Sequence, residues 1–245
     1  MLMVDRRSLE EFRAANNELS GRVRAAVDGF TRSLDLSKPD VARDALLEFV
    51  PMMTSQYGQV SSVLAAGWYE QLRADSGASG RFRASQVKPV PAEAVVASTR
   101  FLAGHLWTPT PLSILGPLLT SVDKYVKQPG RDTIAANAKR EGVRWARVPT
   151  GRETCAFCLM LASRDAVFIS RRAAGGDGNK YHGDCDCQPV RIGRDEDYPE
   201  GYLPDDYYEM YEAARDEATS NDIKDIAAAM RRIKPGAVRD GVHTH

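Results

Sequence analysis

The sequence predicts an α-rich α+β fold with three parts: a helical N-terminal region, a small antiparallel β-sheet that carries a Cys/His cluster, and an acidic helical tail. Apolar residues recur at helical spacing over roughly the first 140 residues. Short β-branched segments follow, and all four cysteines lie between Cys155 and Cys187. Together these observations place a cysteine-bearing sheet after a helical region.

The composition is that of a globular protein without a dominant charge. The chain has 245 residues, of which 43% are hydrophobic, and its 33 basic and 33 acidic residues give a net charge of zero. No overall positive field is therefore present to hold nucleic acid or an anionic membrane nonspecifically. Charged residues or prolines interrupt every apolar stretch too early for a membrane span. Charges between Asp5 and Glu11 argue against a secretory signal, so we expect folding in a reducing cytoplasm.

Residues 1–88 are predicted to form a helical arm or small bundle. The apolar residues between Leu9 and Leu34 are spaced for one amphipathic helix. A second helix is expected after Pro39, which suits a first helical turn. Pro51 is expected to break or kink that helix, and helical spacing then resumes from Met52 to Leu72.

Residues 89–193 are predicted to form a core that begins with helices and ends with the sheet. A linker rich in glycine and serine, followed by two prolines, marks the boundary near residue 88. Helices are expected over 91–103, 112–126 and 132–140. Strands are expected at Arg144–Val148, Ala166–Ile169 and Gln188–Ile192, on both sides of the cysteines. Residues 194–245 form the acidic tail, which ends with a helix over 223–233.

The cysteines and one histidine have the spacing of a metal site. Cys155 and Cys158 form a Cys-x-x-Cys pair, and His182, Cys185 and Cys187 follow after a long loop. A structural zinc ion takes four such ligands in a tetrahedron, and a Cys-x-x-Cys turn supplies two thiolates from one knuckle. The favoured set is the first pair, His182, and one of the last two cysteines, because alternate residues of an extended segment point to opposite faces.

Other interpretations of the cluster stay open. The cysteines are compatible with disulfides formed late in an oxidising exterior, or with buried unpaired thiols. A catalytic zinc would need an open coordination position and a general base, for which Glu153 or Asp184 are the candidates. The histidine and cysteine pattern of zinc deaminases is absent.

Basic residues are moderately enriched between Lys124 and Lys180. Arg171, Arg172 and Lys180 lie in a glycine-rich loop between the two halves of the cluster, where they are candidates for contact with phosphates or DNA. A solvated basic face is the favoured interpretation of the enrichment as a whole.

Two segments around the cysteines resemble the Mu F-like minor capsid proteins of tailed phages, in the branch found in phages of actinobacteria. The first segment runs from Arg144 to Arg164, and the second reads Lys180-Tyr-His-Gly-Asp-Cys-Asp-Cys187. The second half of the family motif commonly reads Pro-x-His-Pro-x-Cys-x-Cys. Here Lys180 and Gly183 replace the two prolines, whereas the histidine and both cysteines match.

The resemblance implies a role in head morphogenesis. Members of that family are present in few copies, associate with the portal inside the prohead, and remain in the virion. We therefore expect a non-enzymatic structural protein whose partners are portal and capsid proteins, with DNA as a further partner, and which acts in DNA packaging or ejection. The alternative is a metal-dependent nuclease or hydrolase that acts on DNA.

Overall fold

The computed structural model describes residues 4–150, 154–164, 181, 185, 187–193, 198–236 and 238–239. Seven α-helices lie in this part of the chain: α1 Arg6–Ser33, α2 Pro39–Asp75, α3 Ala92–Leu102, α4 Leu115–Glu141, α5 Ala156–Ala162, α6 Pro204–Glu217 and α7 Ile223–Ile233. The strands are β1 Arg144–Val148, β2 Thr154–Cys155, β3 Gln188–Ile192 and β4 Val238–Arg239. Two 3₁₀ turns, Ala103–Trp107 and Pro111–Ile114, connect α3 to α4. The predicted helix-rich α+β class is confirmed.

The long helices α1, α2 and α4 form the main bundle. The buried face of α1 repeats at helical spacing, as the sequence predicted, and Asp5 caps the first turn by accepting a hydrogen bond from the Arg7 N–H. One buried cluster fills the bundle at the far end from the sheet and includes Val27, Leu46 and Leu118. No helix in the described residues is both long and apolar enough to cross a membrane.

The two helices expected before and after Pro51 are the single helix α2, and those expected over 112–126 and 132–140 belong to the single helix α4, which contains Pro129. A proline inside a helix removes one hydrogen bond and costs about 3 kcal/mol. Both prolines are buried, and both helices lie side by side over most of their length. Burial of apolar surface along this contact offsets the cost of each proline. Each helix therefore continues through its proline without ending there.

The contact between α2 and α4 depends on small residues. Gly130 lies so close to α2 that a Cβ atom there would be 3.0 Å from the Ser61 carbonyl oxygen and closer still to Ser61 Oγ. At Gly58 a Cβ atom would be 3.2 Å from Pro129 Cγ. These glycines let the two backbones approach closely along the bundle.

The sheet follows directly from α4. That helix ends at Gly142, whose φ of +75° is left-handed and whose N–H bonds to the carbonyls of Ala138 and Lys139. β1 then pairs antiparallel with β3, with Ala146 opposite Val190. The predicted strands 144–148 and 188–192 are confirmed, and the one expected at 166–169 lies outside the described residues. A second, parallel pair joins β2 to β4 near the C-terminus.

The acidic tail packs against α5 rather than standing apart from it. Helices α5, α6 and α7 share a buried cluster that includes Met160, Ala214, Ile226 and Met230. Another cluster combines Leu9 and Trp68 of the bundle with Trp145 and Val190 of the sheet and Tyr202 from the segment before α6. The division of the chain at residues 88 and 193 stays a prediction.

Candidate metal centre

The first half of the candidate site is a knuckle formed where β2 meets α5. Cys155 is the residue before the helix, in extended conformation, and its Sγ accepts a hydrogen bond from the Cys158 N–H at 3.2 Å. Cys158 lies in the first turn of α5. Both side chains are buried, with 3% and 1% of their surface exposed. The Cys-x-x-Cys turn expected from the sequence is therefore present.

The second half lies just before β3. Cys185 and Cys187 are each 1% exposed, and β3 is fixed by its pairing with β1. Cys185 Sγ lies 3.3 Å from Cys158 Sγ, and the Sγ atoms of Cys158, Cys185 and Cys187 all lie within 4.8 Å of one another. The fold therefore places the sulfur of Cys158 next to those of two cysteines that are distant from it in the sequence.

The spacing of this thiol triad, Cys158, Cys185 and Cys187, suits a metal ion. A tetrahedral zinc ion with Zn–S bonds of about 2.3 Å holds its sulfurs about 3.8 Å apart. The sulfur separations in the triad, one of 3.3 Å and none above 4.8 Å, are close to that value, and all four cysteines are free thiols. The three buried cysteines fit the requirements of a metal, and thiolate ligands favour soft or borderline ions such as zinc.

The sulfurs of Cys185 and Cys187 do not lie on opposite faces, as they would in an extended segment. The sequence favoured only one of Cys185 and Cys187, because an extended segment would point them to opposite faces. Both sulfurs instead belong to the triad. Neither residue lies in a strand, since β3 begins at Gln188, and the backbone is therefore free of the strict alternation of a sheet.

Cys155 and His182 are the remaining candidate ligands. Cys155 packs against the triad in one buried cluster, although its sulfur is not within the 4.8 Å group. His182 lies outside the described residues, as do Glu153 and Asp184, the candidates for a general base. Arg171, Arg172 and Lys180 of the basic loop also lie outside them.

The pKa values of Cys155 and Cys187 depend first on hydrogen bonds within the cluster and then on burial. Hydrogen bonding with Cys158 and Cys185, together with burial, raises the pKa of the Cys187 thiol well above its ordinary value. At Cys155 the hydrogen bonds from Cys158 outweigh burial and lower the pKa. Several thiolates so close together in a dry environment repel one another. A divalent cation would remove this repulsion and allow them to ionise together.

Two buried arginines and a tyrosine adjoin the triad. Arg131 of α4 and Arg147 of β1 are 3% and 0% exposed, and their Cζ atoms lie 4.1 and 3.8 Å from the ring centre of Tyr181. Burial, with a smaller contribution from Cys185, raises the pKa of Tyr181 to about 12 against the opposing effect of the two arginines. Burial works to lower the pKa of Arg147, but Tyr181 and the three thiols of the triad raise it.

Sequence reasoning missed this group. The basic enrichment between residues 124 and 180 favoured a solvated face, whereas Lys127, Arg131 and Arg147 within it are buried. The available signals were the position of Tyr181 directly before His182 and the alternation of β1. Neither signal distinguishes a buried arginine from an exposed one.

Comparison with known proteins places the chain among phage proteins. A "Gene 15 protein" of Mycobacterium phage D29 is 37% identical over 71 residues, which cover 27% of this chain and 26% of that protein. A "Gene 15 protein" of Mycobacterium phage L5 is 35% identical over 83 residues, covering 20% of this chain and 28% of that protein. The matches thus span about a quarter of the length of these curated relatives. No solved structure matches.

A family comparison covers far more of the chain. Residues 3–214 match the family described as VG15 protein. This range includes the bundle, the β1–β3 sheet, the cysteine cluster and most of α6. Together with the two mycobacteriophage relatives, this match indicates a phage-encoded protein. Because the match spans most of its residues, the chain belongs to the VG15 protein family.

Proposed function

We propose that this chain is a structural minor capsid protein of a tailed phage, which associates with the portal, acts in head morphogenesis and is retained in the virion. The observation that carries the proposal is the enclosure of the thiol triad, whose residues are each 1% exposed. Structural zinc sites are closed in this way, whereas a catalytic site keeps a position open for water or substrate. Membership of a family with phage relatives and the resemblance to the Mu F-like proteins support the same role.

The proposed metal braces two packing units. Cys158 belongs to α5, which packs with α6 and α7. Cys185 and Cys187 precede β3, which pairs with β1 and packs against α4. Zinc bound to both halves joins these units by bonds that do not depend on a large hydrophobic core. A rigid unit of this kind suits a structural protein that holds neighbouring subunits in place and catalyses no reaction.

Portal and capsid proteins are the proposed partners, and packaged DNA is a further one. The contact with DNA would involve Arg171, Arg172 and Lys180. Because Lys or Arg that neutralise phosphates release counterions, DNA binding through this loop would weaken steeply as salt increases. Replacement of all three by glutamine should abolish that binding without changing the zinc content, and a flat salt dependence would remove DNA from the partners.

The assembly role is tested in particles of a phage that encodes this chain. Quantitative mass spectrometry of purified proheads and mature virions should detect the chain in both, at few copies per portal. Its presence in infected cells but in neither particle would contradict the proposed function. A deletion of the gene that leaves normal numbers of filled heads would contradict the role in morphogenesis.

A DNA cleavage assay tests the alternative of a metal-dependent nuclease or hydrolase. Purified protein should not cleave DNA in the presence of zinc or magnesium. Cleavage that EDTA abolishes, and that Glu153→Ala also abolishes, would establish the metal-dependent nuclease instead. No observation on the described residues favours that alternative.

A further inference from the structure

Arg131 is a buried cation whose surroundings, within the described residues, include no ion-pair partner. It lies on α4 and is 3% exposed. Its Nη2 donates a hydrogen bond to the main-chain carbonyl of Cys185, a member of the thiol triad. Its Nε and Nη1 have no hydrogen-bond partner among the described residues and lie beside the Tyr181 ring instead.

Asp123, a buried carboxylate on the same helix, already has a cation. Asp123, two turns before Arg131, contacts Lys127 Nζ at 2.7 Å and accepts a hydrogen bond from Ser20 at 2.6 Å. The charge of Asp123 is therefore already balanced by Lys127, and Arg131 interacts with it only through space. Burial of a guanidinium group is costly unless an anion compensates it. The fold retains the arginine at this position, which indicates a compensating charge nearby.

A metal–thiolate centre supplies that negative charge. Zinc held by three thiolates and a neutral imidazole carries a net charge of −1, and zinc held by four thiolates carries −2. Arg131 bonds directly to the backbone of one proposed ligand, and the charge of Arg147 acts on all three thiols of the triad. The Tyr181 ring packs against both guanidinium groups.

We infer that Arg131 is a positioning residue of the metal centre: it orients Cys185 through its carbonyl and balances the negative charge of the metal–thiolate cluster, while the Tyr181 ring holds it in place. This inference rests on the proposed metal site. It assigns to a helix of the main bundle a direct influence on metal affinity. Interactions of this kind around metal ligands typically change affinity by about 10- to 100-fold.

The experiment measures the zinc affinity of the full-length protein by competition with a chromophoric chelator. Arg131→Met should weaken binding by about 10- to 100-fold. Arg131→Lys keeps the charge and a donor, and should recover most of the affinity. The matched control is Arg191→Met, which removes another buried arginine, one that bonds to Glu141. Its zinc affinity should equal that of the wild type.

Cobalt substitution separates charge balance from loss of structure. The charge-transfer and d–d bands of the Co²⁺-loaded Arg131→Met protein should match those of the wild type, because the ligands are unchanged. If Arg131→Met does not fold, substitutions of Tyr181 provide a second test of how Arg131 is held in place. Tyr181→Phe should bind zinc as the wild type does, and Tyr181→Leu should bind it more weakly.

Failure of the role of Arg131 and failure of the proposed metal site give different results. A wild-type protein that binds no zinc overturns the metal centre and, with it, the role of Arg131. A wild type that binds one zinc ion while Arg131→Met binds it equally tightly overturns only the role of Arg131. Equal affinities for Tyr181→Phe and Tyr181→Leu overturn the role of the ring.

Discussion

Cys158 Sγ lies 3.3 Å from Cys185 Sγ, although 27 residues separate the two cysteines in the sequence. This separation is about 0.5 Å shorter than that of two thiolates on one tetrahedral zinc ion. A metal could therefore enter with a small outward shift of the sulfurs and little rearrangement of α5 or β3.

Removal of a thiol from the triad should abolish stoichiometric zinc. Cys158→Ser, Cys185→Ser and Cys187→Ser each replace a thiolate with a poor zinc ligand, and we expect about one zinc ion per wild-type chain but far less in each variant. Elemental analysis of the purified proteins checks this. Met160→Leu, a volume-conserving change on the same helix as Cys158, should retain full zinc content. Full zinc content in the three serine variants would rule out the triad as the metal site.

Removal of the metal should loosen the cysteine-bearing region more than the bundle. A ligand at 1,000 times its Kd stabilises the folded state by about 4 kcal/mol, and EDTA removes that contribution. Hydrogen exchange should then accelerate in α5 and β3, whereas amides in α1, α2 and α4 should keep their protection. Uniform acceleration in all of these elements would show that the metal supports the whole fold, and no acceleration anywhere would remove its structural role.

Glu141 should make the protein sensitive to acid. Burial works to raise its pKa, but hydrogen bonds from Arg191, Tyr69 and Arg73 outweigh burial and lower it to about 2. A lowered carboxyl pKa stabilises the fold above the ordinary value of 4.5, and this contribution is lost as the pH falls from there towards 2. Glu141→Gln should cost about 2–3 kcal/mol at pH 7.

Urea unfolding across pH checks this prediction. The difference in unfolding free energy between wild type and Glu141→Gln should be constant near neutrality and shrink below pH 4.5. Glu93→Gln, at an exposed position on α3, should change stability by less than about 0.5 kcal/mol at any pH. A difference for Glu141→Gln that does not vary with pH would contradict the assigned protonation.

Gly130→Ala should destabilise the bundle. The added Cβ would collide with Ser61 Oγ and lie 3.0 Å from the Ser61 carbonyl oxygen, so α2 and α4 must separate. We expect a cost of about 1–3 kcal/mol. In the matched change Gly67→Ala, on the exposed side of α2, the new Cβ has no neighbour within 4 Å. Better helix propensity should then stabilise the protein by up to about 1 kcal/mol. Thermal unfolding of both variants checks the opposite signs.

Local sequence patterns predicted most elements because each pattern acts within a few residues. The amphipathic spacing of α1 identified its buried face, and the alternation of residues 144–148 identified β1. The Cys-x-x-Cys pair predicted the knuckle at the start of α5, because three residues of helix fix how two thiols are oriented. The same local reasoning failed at Pro51 and Pro129, where the long contact between two helices outweighs the preference of a single residue.

Residue types and their spacing predicted the composition of the centre: four cysteines in two groups that follow a helical region and lie between two short strands. Tertiary structure alone decided which sulfurs meet, that Cys185 and Cys187 reach the same point, and that Arg131 and Arg147 are buried beside Tyr181. The physical reason is that ligand chemistry is a property of residue type, whereas convergence and burial depend on β3 pairing with β1 and on α4 packing beside the sheet. Those contacts join residues that no short window of the sequence contains.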